Sequence, residues 1–258
     1  MSRIASEIFD VDGRIAIVTG ASSGIGENMV RTLAAGGMRV IAAARRLDRL
    51  ETLASTMAGV VPMRCDVTNE DDLKALVAAA YEQFGRLDVV INNAGKSDAP
   101  VKAEEETAAE FAAVIDVNLN SCFLLARTAA AAMIEHATPG SIINIASVHS
   151  FVSSAPNNQA AYVASKTGLI GLTRELSGQW SRHNIRVNCI APGYFPTELT
   201  DSMMGEDSSG YGYITKRTPM RRPGRLEELD GALLLLASDA STYMTGQTVV
   251  VDGGWTMH

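Results

Sequence analysis

Apolar positions along the chain fall into two alternating periods. Short runs of β-branched and small apolar residues occupy 15–18, 39–44, 60–63, 87–91, 141–146, 185–190 and 248–251, and each reads as a strand buried on both faces. Between them the spacing becomes helical: Ile25, Met29 and Leu33 share one face, and Leu73, Leu76, Val77, Ala80, Tyr81 and Phe84 share another. The Ala-rich stretch 107–134 and the stretch 160–180 read as two longer helices. Strict strand and helix alternation predicts an α/β fold, because right-handed crossovers place helices on both faces of a parallel sheet. The expected architecture is one doubly wound domain over residues 1–258 with about seven parallel strands. Residues 14–95 form its nucleotide-binding half and 107–193 its catalytic half.

One stretch breaks this rhythm. Residues 197–222 combine Gly, Ser and Tyr with Met203, Met204 and Met220, and read either as a mobile lid over a substrate or as a solvated connector.

Composition narrows the partners. Lys and Arg number 22 against 29 Asp and Glu, a formal charge of −7, which disfavours a nucleic-acid or anionic membrane surface. The longest apolar run near the C-terminus, 232–237, is far shorter than a membrane span, and residues 1–13 lack a signal-peptide core, so a cytoplasmic protein is expected. Cys65, Cys122 and Cys189 stand far apart in apolar surroundings, as buried reduced thiols do, and no metal-ligand spacing exists.

Chemistry enters at the first predicted strand end. Gly20, Gly24 and Gly26, with Ser22, Ser23 and Ile25 between them, form a strand–turn–helix junction of the kind whose backbone amides hold a pyrophosphate. About twenty residues further on, where a carboxylate would bind a ribose 2′-hydroxyl, stand Arg45 and Arg46. Arg45 in that place favours the 2′-phosphate of NADP(H); two arginines that simply end a strand are the plainer alternative. Asp66, Val67, Asn93, Ala94 and Gly95 follow the third and fourth strands, where an adenosine would rest. Tyr162 and Lys166 lie one helical turn apart, Ser147 ends a predicted strand, and Asn118 sits within the long preceding helix, so four polar groups can converge at the sheet's carboxyl edge.

These residues, together with Pro192-Gly193, resemble the short-chain dehydrogenase/reductase family in its NADP-preferring class, and the resemblance runs over nearly the whole chain. It implies a Rossmann-like fold, a nicotinamide cofactor and interconversion of a carbonyl and a secondary alcohol. By resemblance Tyr162 is the general acid/base, Ser147 steadies the substrate oxygen, Lys166 holds the nicotinamide ribose, and Asn118 holds a proton-relaying water. Pro192, Gly193 and Thr197 match positions that seat the nicotinamide. A homotetramer is implied as well.

The substrate stays open between a 3-oxoacyl thioester and a sugar acid or polyol. Arg127, Lys216, Arg217, Arg221 and Arg222 would suit an acidic acyl carrier, whereas His149, Gln159 and Tyr194 beside the catalytic set would suit a hydroxylated small molecule. A sensor or scaffold that binds NADP(H) without turnover is the non-enzymatic alternative.

Overall fold

The computed structural model describes residues 5–99, 101–205 and 208–257. Seven parallel strands, β1 (Ile15–Thr19), β2 (Arg39–Ala44), β3 (Val60–Arg64), β4 (Val89–Asn92), β5 (Gly140–Ile145), β6 (Ile185–Pro192) and β7 (Thr248–Val251), form one sheet in the order β3-β2-β1-β4-β5-β6-β7. The chain leaves β1 toward β2 and β3 and then returns to place β4 on the other side of β1. The crevice between β1 and β4 is therefore the switch point, where doubly wound sheets bind ligands.

Successive strand residues point to opposite faces, and each face carries its own core. Ala16, Val18, Val40, Ala42, Ile91 and Ile143 pack against Met29, Val30 and Leu33 of α2 (Gly24–Ala35), Leu50 and Leu53 of α3 (Leu47–Thr56), and Leu233 and Leu236 of α10 (Asp230–Ala237). Ile15, Ile17, Ile41, Val90 and Ile142 pack on the other face, against Leu73 and Leu76 of α4 (Glu70–Phe84), Leu125 and Met133 of α6 (Ser121–Glu135), and Leu176 of α7 (Ala160–Trp180). The short α1 (Ala5–Ile8) precedes β1. Local chemistry marks the helix ends: Asn69 caps α4 by accepting from Asp71 N at 2.9 Å, and Gly85 ends it at φ 73°.

The stretch expected as one helix over 107–134 is a continuous helix over Ala108–Glu135 that is widened by one π turn. Thr107 and Glu110 form a capping box at the start of α5 (Ala108–Ile115), a π-helical turn follows at Asp116–Asn120, and α6 continues from Ser121. The wider turn carries Asn118 into the interior, where it is 0% exposed. Taken together, Ala108–Glu135 spans 28 residues and contains an 18-residue stretch with a mean hydropathy of 1.4, long and apolar enough to cross a bilayer by length and composition alone. In this fold its Leu125, Ala126, Ala129, Ala130 and Met133 lie against the sheet.

The expected lid is also more ordered than a loop. It contains α8 (Asp201–Met204) and α9 (Ser209–Arg217), the latter capped by Ser208, which accepts from Tyr211 N at 3.0 Å. Glu206 and Asp207, part of that stretch, lie outside the described residues, as do residues 1–4 at the N-terminus. All three cysteines are buried and free, and burial raises the Cys65 and Cys189 thiols to about 12.

Candidate active site

A cleft of about 590 Å³ opens along the carboxyl ends of the strands. Its lining includes every residue expected to hold the nucleotide: Gly20, Ser22, Ser23, Gly24, Ile25, Gly26, Arg45, Asp66, Val67, Asn93, Ala94, Gly95, Pro192, Gly193 and Thr197. Ser147, Tyr162 and Lys166 line the same cleft, so residues far apart in sequence share one wall.

The floor is tied by β1 and β4. Thr19 Oγ1 accepts from the Asn93 and Ala94 amides, each at 3.1 Å, and Asn93 Nδ2 donates to Thr19 O at 2.9 Å and Gly20 O at 3.3 Å. Glycine is required here by contact. A Cβ on Gly26 would lie 2.3 Å from Gly20 O and 2.4 Å from Asn93 Nδ2, closer than real Cβ atoms approach their neighbours. Gly20 also stands at φ 66°, a conformation unfavourable to other residues. The turn thus runs close under β4 and directs the start of α2 into the cleft.

A buried polar chain joins the next elements. Asn92 Nδ2 donates to Asn144 Oδ1 at 2.8 Å, and Asn144 Nδ2 donates to Thr173 Oγ1 at 2.8 Å, linking β4, β5 and α7. This chain locks the strand carrying Ser147 to the helix carrying Tyr162 and Lys166. Sequence reading missed Asn144 and Thr173, since each looks like an ordinary polar residue until its partner is found.

Ser147 lies just beyond β5 and caps a turn by accepting from His149 N at 3.2 Å, which leaves its hydroxyl proton free to donate into the cleft. Lys166 is 4% exposed. Its Nζ donates to Ile145 O at 2.7 Å and lies 5.9 Å from the centre of the Tyr162 ring. Asn118 does not line the cleft. Its Nδ2 donates to Lys96 O at 2.9 Å and Ser165 Oγ at 3.0 Å, while its Oδ1 accepts from Lys96 N at 2.9 Å. Both of its N–H bonds therefore pin the loop after β4 to α7, the helix of Tyr162.

Of the three residues expected at the substrate, His149 and Tyr194 pair directly, at 3.1 Å from Nε2 to the phenol oxygen. The His149 ring stands edge-on to Tyr162 with centres 6.4 Å apart. Burial lowers the basicity of His149 and pushes the Tyr194 phenol up to about 12, so both are neutral hydrogen-bonding groups near pH 7. Gln159 instead turns to Ser97, donating from Nε2 to its hydroxyl. Tyr194 packs against Trp255 with ring centres 4.7 Å apart and planes tilted by 57°, and the Arg217 guanidinium lies 4.8 Å from the centre of the Trp255 ring.

Arg45 is exposed at the cleft edge, where its charge, with a hydrogen-bonding Thr68 as the larger influence, helps hold the Asp66 carboxyl below its usual range. Arg46 makes the more developed contacts: Nη2 donates to Ser22 Oγ and Ser23 Oγ, each at 3.0 Å. Glu198, which the motif reading passed over, reaches the same arginine.

Comparison with known proteins agrees with this geometry. A family model described as enoyl-(acyl carrier protein) reductase matches residues 20–256. The chain is 34% identical over 254 residues to the 2-dehydro-3-deoxy-D-gluconate 5-dehydrogenase of Escherichia coli, covering 96% of this chain and 97% of that one. It is 35% identical over 250 residues to the 3-oxoacyl-(acyl-carrier-protein) reductase of Thermotoga maritima, covering 95% and 98%. Among solved structures it is similar to a gluconate 5-dehydrogenase from Burkholderia cenocepacia in complex with NADP and tartrate. The TM-score there is 0.90 at 34% identity, over 99% of this chain and 100% of that one.

Proposed function

The chain belongs to the short-chain dehydrogenase/reductase family and is an oxidoreductase that interconverts a carbonyl and a secondary alcohol; from that premise we propose that it uses NADP(H) on a hydroxylated keto acid. The nucleotide fits the residues present. The Gly26 contact leaves room only for bare backbone, the start of α2 lines the cleft, and Arg46, which also donates to the Ser22 and Ser23 hydroxyls, already holds a carboxylate, a stand-in for phosphate. The bound nicotinamide supplies hydride to the carbonyl carbon, or accepts it from the alcohol in the reverse direction.

The protein's own groups handle the oxygen. The Tyr162 phenol gives its proton to the carbonyl oxygen as negative charge develops there, and Ser147 donates a hydrogen bond to the same atom. The Lys166 ammonium, fixed by Ile145 O, stabilises the charge left on the Tyr162 oxygen. Asn118 acts as a positioning residue, holding the loop at Lys96 against the helix of Tyr162.

The observation that carries the substrate class is the neutral His149–Tyr194 pair beside Tyr162, with Arg217 on the adjoining Trp255 ring. That combination offers hydroxyl partners and one cation for a small carboxylate. The basic patch that an acidic acyl carrier needs is weakened by local pairing: Arg127 bonds Glu70 and Arg222 bonds Glu228, each at 2.7 Å. The relative solved with tartrate, a hydroxylated acid, supports the same choice.

Nicotinamide absorbance tests it, with purified protein, NADPH and two carbonyls side by side: a keto sugar acid and a short 3-oxoacyl thioester. Turnover of the keto sugar acid is the expected result; oxidation of NADPH with the thioester alone would overturn the substrate class.

Two further points belong to this reading. Phe111, Phe123 and Ile134 of α5 and α6 are exposed apolar side chains, which a homotetramer would cover. Sedimentation showing only monomer at micromolar concentration would refute that. Three free buried thiols suit the reducing cytoplasm.

A further inference from the structure

Where the glycine turn meets the end of β2, the side chains of Arg46, Arg49 and Ser23 converge on one carboxylate, that of Glu198. Arg46 Nη2 donates to Glu198 Oε2 at 2.8 Å and Nη1 to Oε1 at 3.3 Å, and Arg49 Nη1 also reaches Oε1. Ser22 and Ser23 hydroxyls share the same Arg46 nitrogen. Glu198 comes from the segment after β6, on the far side of the cleft from Arg46, 152 residues away in sequence. Its carboxyl is held down at about 2, first by Arg46 and then by Arg49 and Ser23, so it remains charged at every pH at which the enzyme is handled.

Arg46 Nη2 carries two hydrogens and already faces three acceptors. An incoming 2′-phosphate therefore cannot take this guanidinium while Glu198 keeps it, and two anions side by side would repel. A ribose 2′-hydroxyl is different: it can donate to a carboxylate, the arrangement by which acidic residues recognise NAD(H).

We propose that Glu198 sets cofactor selectivity, its carboxylate occupying the Arg46, Ser22 and Ser23 cradle in competition with the 2′-phosphate of NADP(H) while leaving NAD(H) unopposed. This rests on the NADP(H) reading above. Glu198 acts as an internal competitor at one end of the nucleotide: every NADP(H) bound must displace it, so its removal strengthens NADP(H) alone. Its neighbour Thr197 packs over the glycine turn, within 3.0 Å of where a Gly24 Cβ would sit, so displacement of Glu198 is felt in the segment that also covers the cleft.

The test is equilibrium binding of NADPH and of NADH, read by nucleotide fluorescence, in wild type, Glu198→Gln, Glu198→Asp, Arg46→Ala and the double variant that joins Arg46→Ala to Glu198→Gln. Glu198→Gln is expected to lower the Kd for NADPH by about three- to tenfold, the scale of one or two exposed ion pairs, and to leave the Kd for NADH unchanged or raised. Glu198→Asp, which keeps the charge, should stay within about twofold of wild type, below the tenfold that one full contact is worth. Arg46→Ala should weaken NADPH, and in the double variant Glu198→Gln should bring no further gain, because the cradle it would vacate is gone. Unchanged NADPH affinity in Glu198→Gln, or an equal gain for both nucleotides, overturns the inference while leaving the cofactor reading intact. Wild-type protein that binds NADH and not NADPH overturns both.

Discussion

Gly26→Ala isolates the contact on which the nucleotide turn depends. The added methyl would stand 2.3 Å from Gly20 O and 2.4 Å from Asn93 Nδ2, more than 1 Å inside ordinary contact at about 3.5–4.0 Å. Neither neighbour is a free end. Gly20 O is backbone at φ 66°, and Asn93 Nδ2 is tied to Thr19 O and Gly20 O. Relief therefore requires the turn and β4 to separate, at an overpacking cost of about 1–3 kcal/mol plus about 1 kcal/mol for the Asn93 bonds. For a domain of this size about 2–4 kcal/mol corresponds to a Tm lower by about 5–15 °C. NADPH affinity should fall with it, because the amides at the start of α2 move together. Gly178→Ala is the matched comparison: it lies in α7 with open space at its Cβ, so replacing the flexible residue should raise stability by about 0.5–1 kcal/mol. Thermal melts and NADPH titration of both variants decide the matter. A Gly26→Ala melt and Kd equal to wild type would refute the packing argument, and equal shifts in both variants would show that the glycine's flexibility matters more than its contacts.

Tyr162→Phe should reduce turnover by at least about a hundredfold, the lower scale of general acid catalysis, while NADPH binding by fluorescence stays near wild type; substantial residual turnover would remove the proton-donor role. Arg45→Ala tests the other arginine: if its charge reaches the 2′-phosphate, NADPH affinity falls by about 1.5–3 kcal/mol with NADH little affected, and equal losses exclude it. Asn118→Ala strips partners from Lys96 and Ser165, so a melt should show about 1–3 kcal/mol of destabilisation together with a lower kcat. Glu228 is held down to about 2 by Arg222 and the Arg225 amide, below its ordinary 4.5. A depressed acid stabilises the fold above its ordinary value and loses that contribution as pH falls through the depressed one. The Tm difference between wild type and Glu228→Gln should therefore be full at pH 6 and shrink toward pH 3, and a pH-independent difference would show that charge is not its origin.

Much of this molecule was determined by local pattern. Strands β2 and β7 fall where alternation placed them, and α7 begins and ends with its helical period, because buried strands and amphipathic helices write their burial into neighbouring residues. The glycine turn and the Tyr162–Lys166 pair were legible for the same reason: each is a short-range spacing with one geometric consequence. The π turn at Asp116–Asn120 was not, since an Ala-rich helix has the same composition with or without one extra residue in a turn. Nor could periodicity order the 197–222 stretch, whose short α8 and α9 draw on contacts such as Tyr213 OH donating to Ala155 O at 2.9 Å.

What only the tertiary structure decided are the pairings between distant residues. Of two adjacent arginines, the fold gives Arg46 the Ser22 and Ser23 partners and brings Glu198 to it. It couples His149 to Tyr194, and it commits Asn118 to the Lys96 backbone. A side chain's local sequence states what it can donate or accept. Which partner it meets depends on how seven strands are ordered and how closely their connecting loops approach, and that is set by packing over the whole sheet.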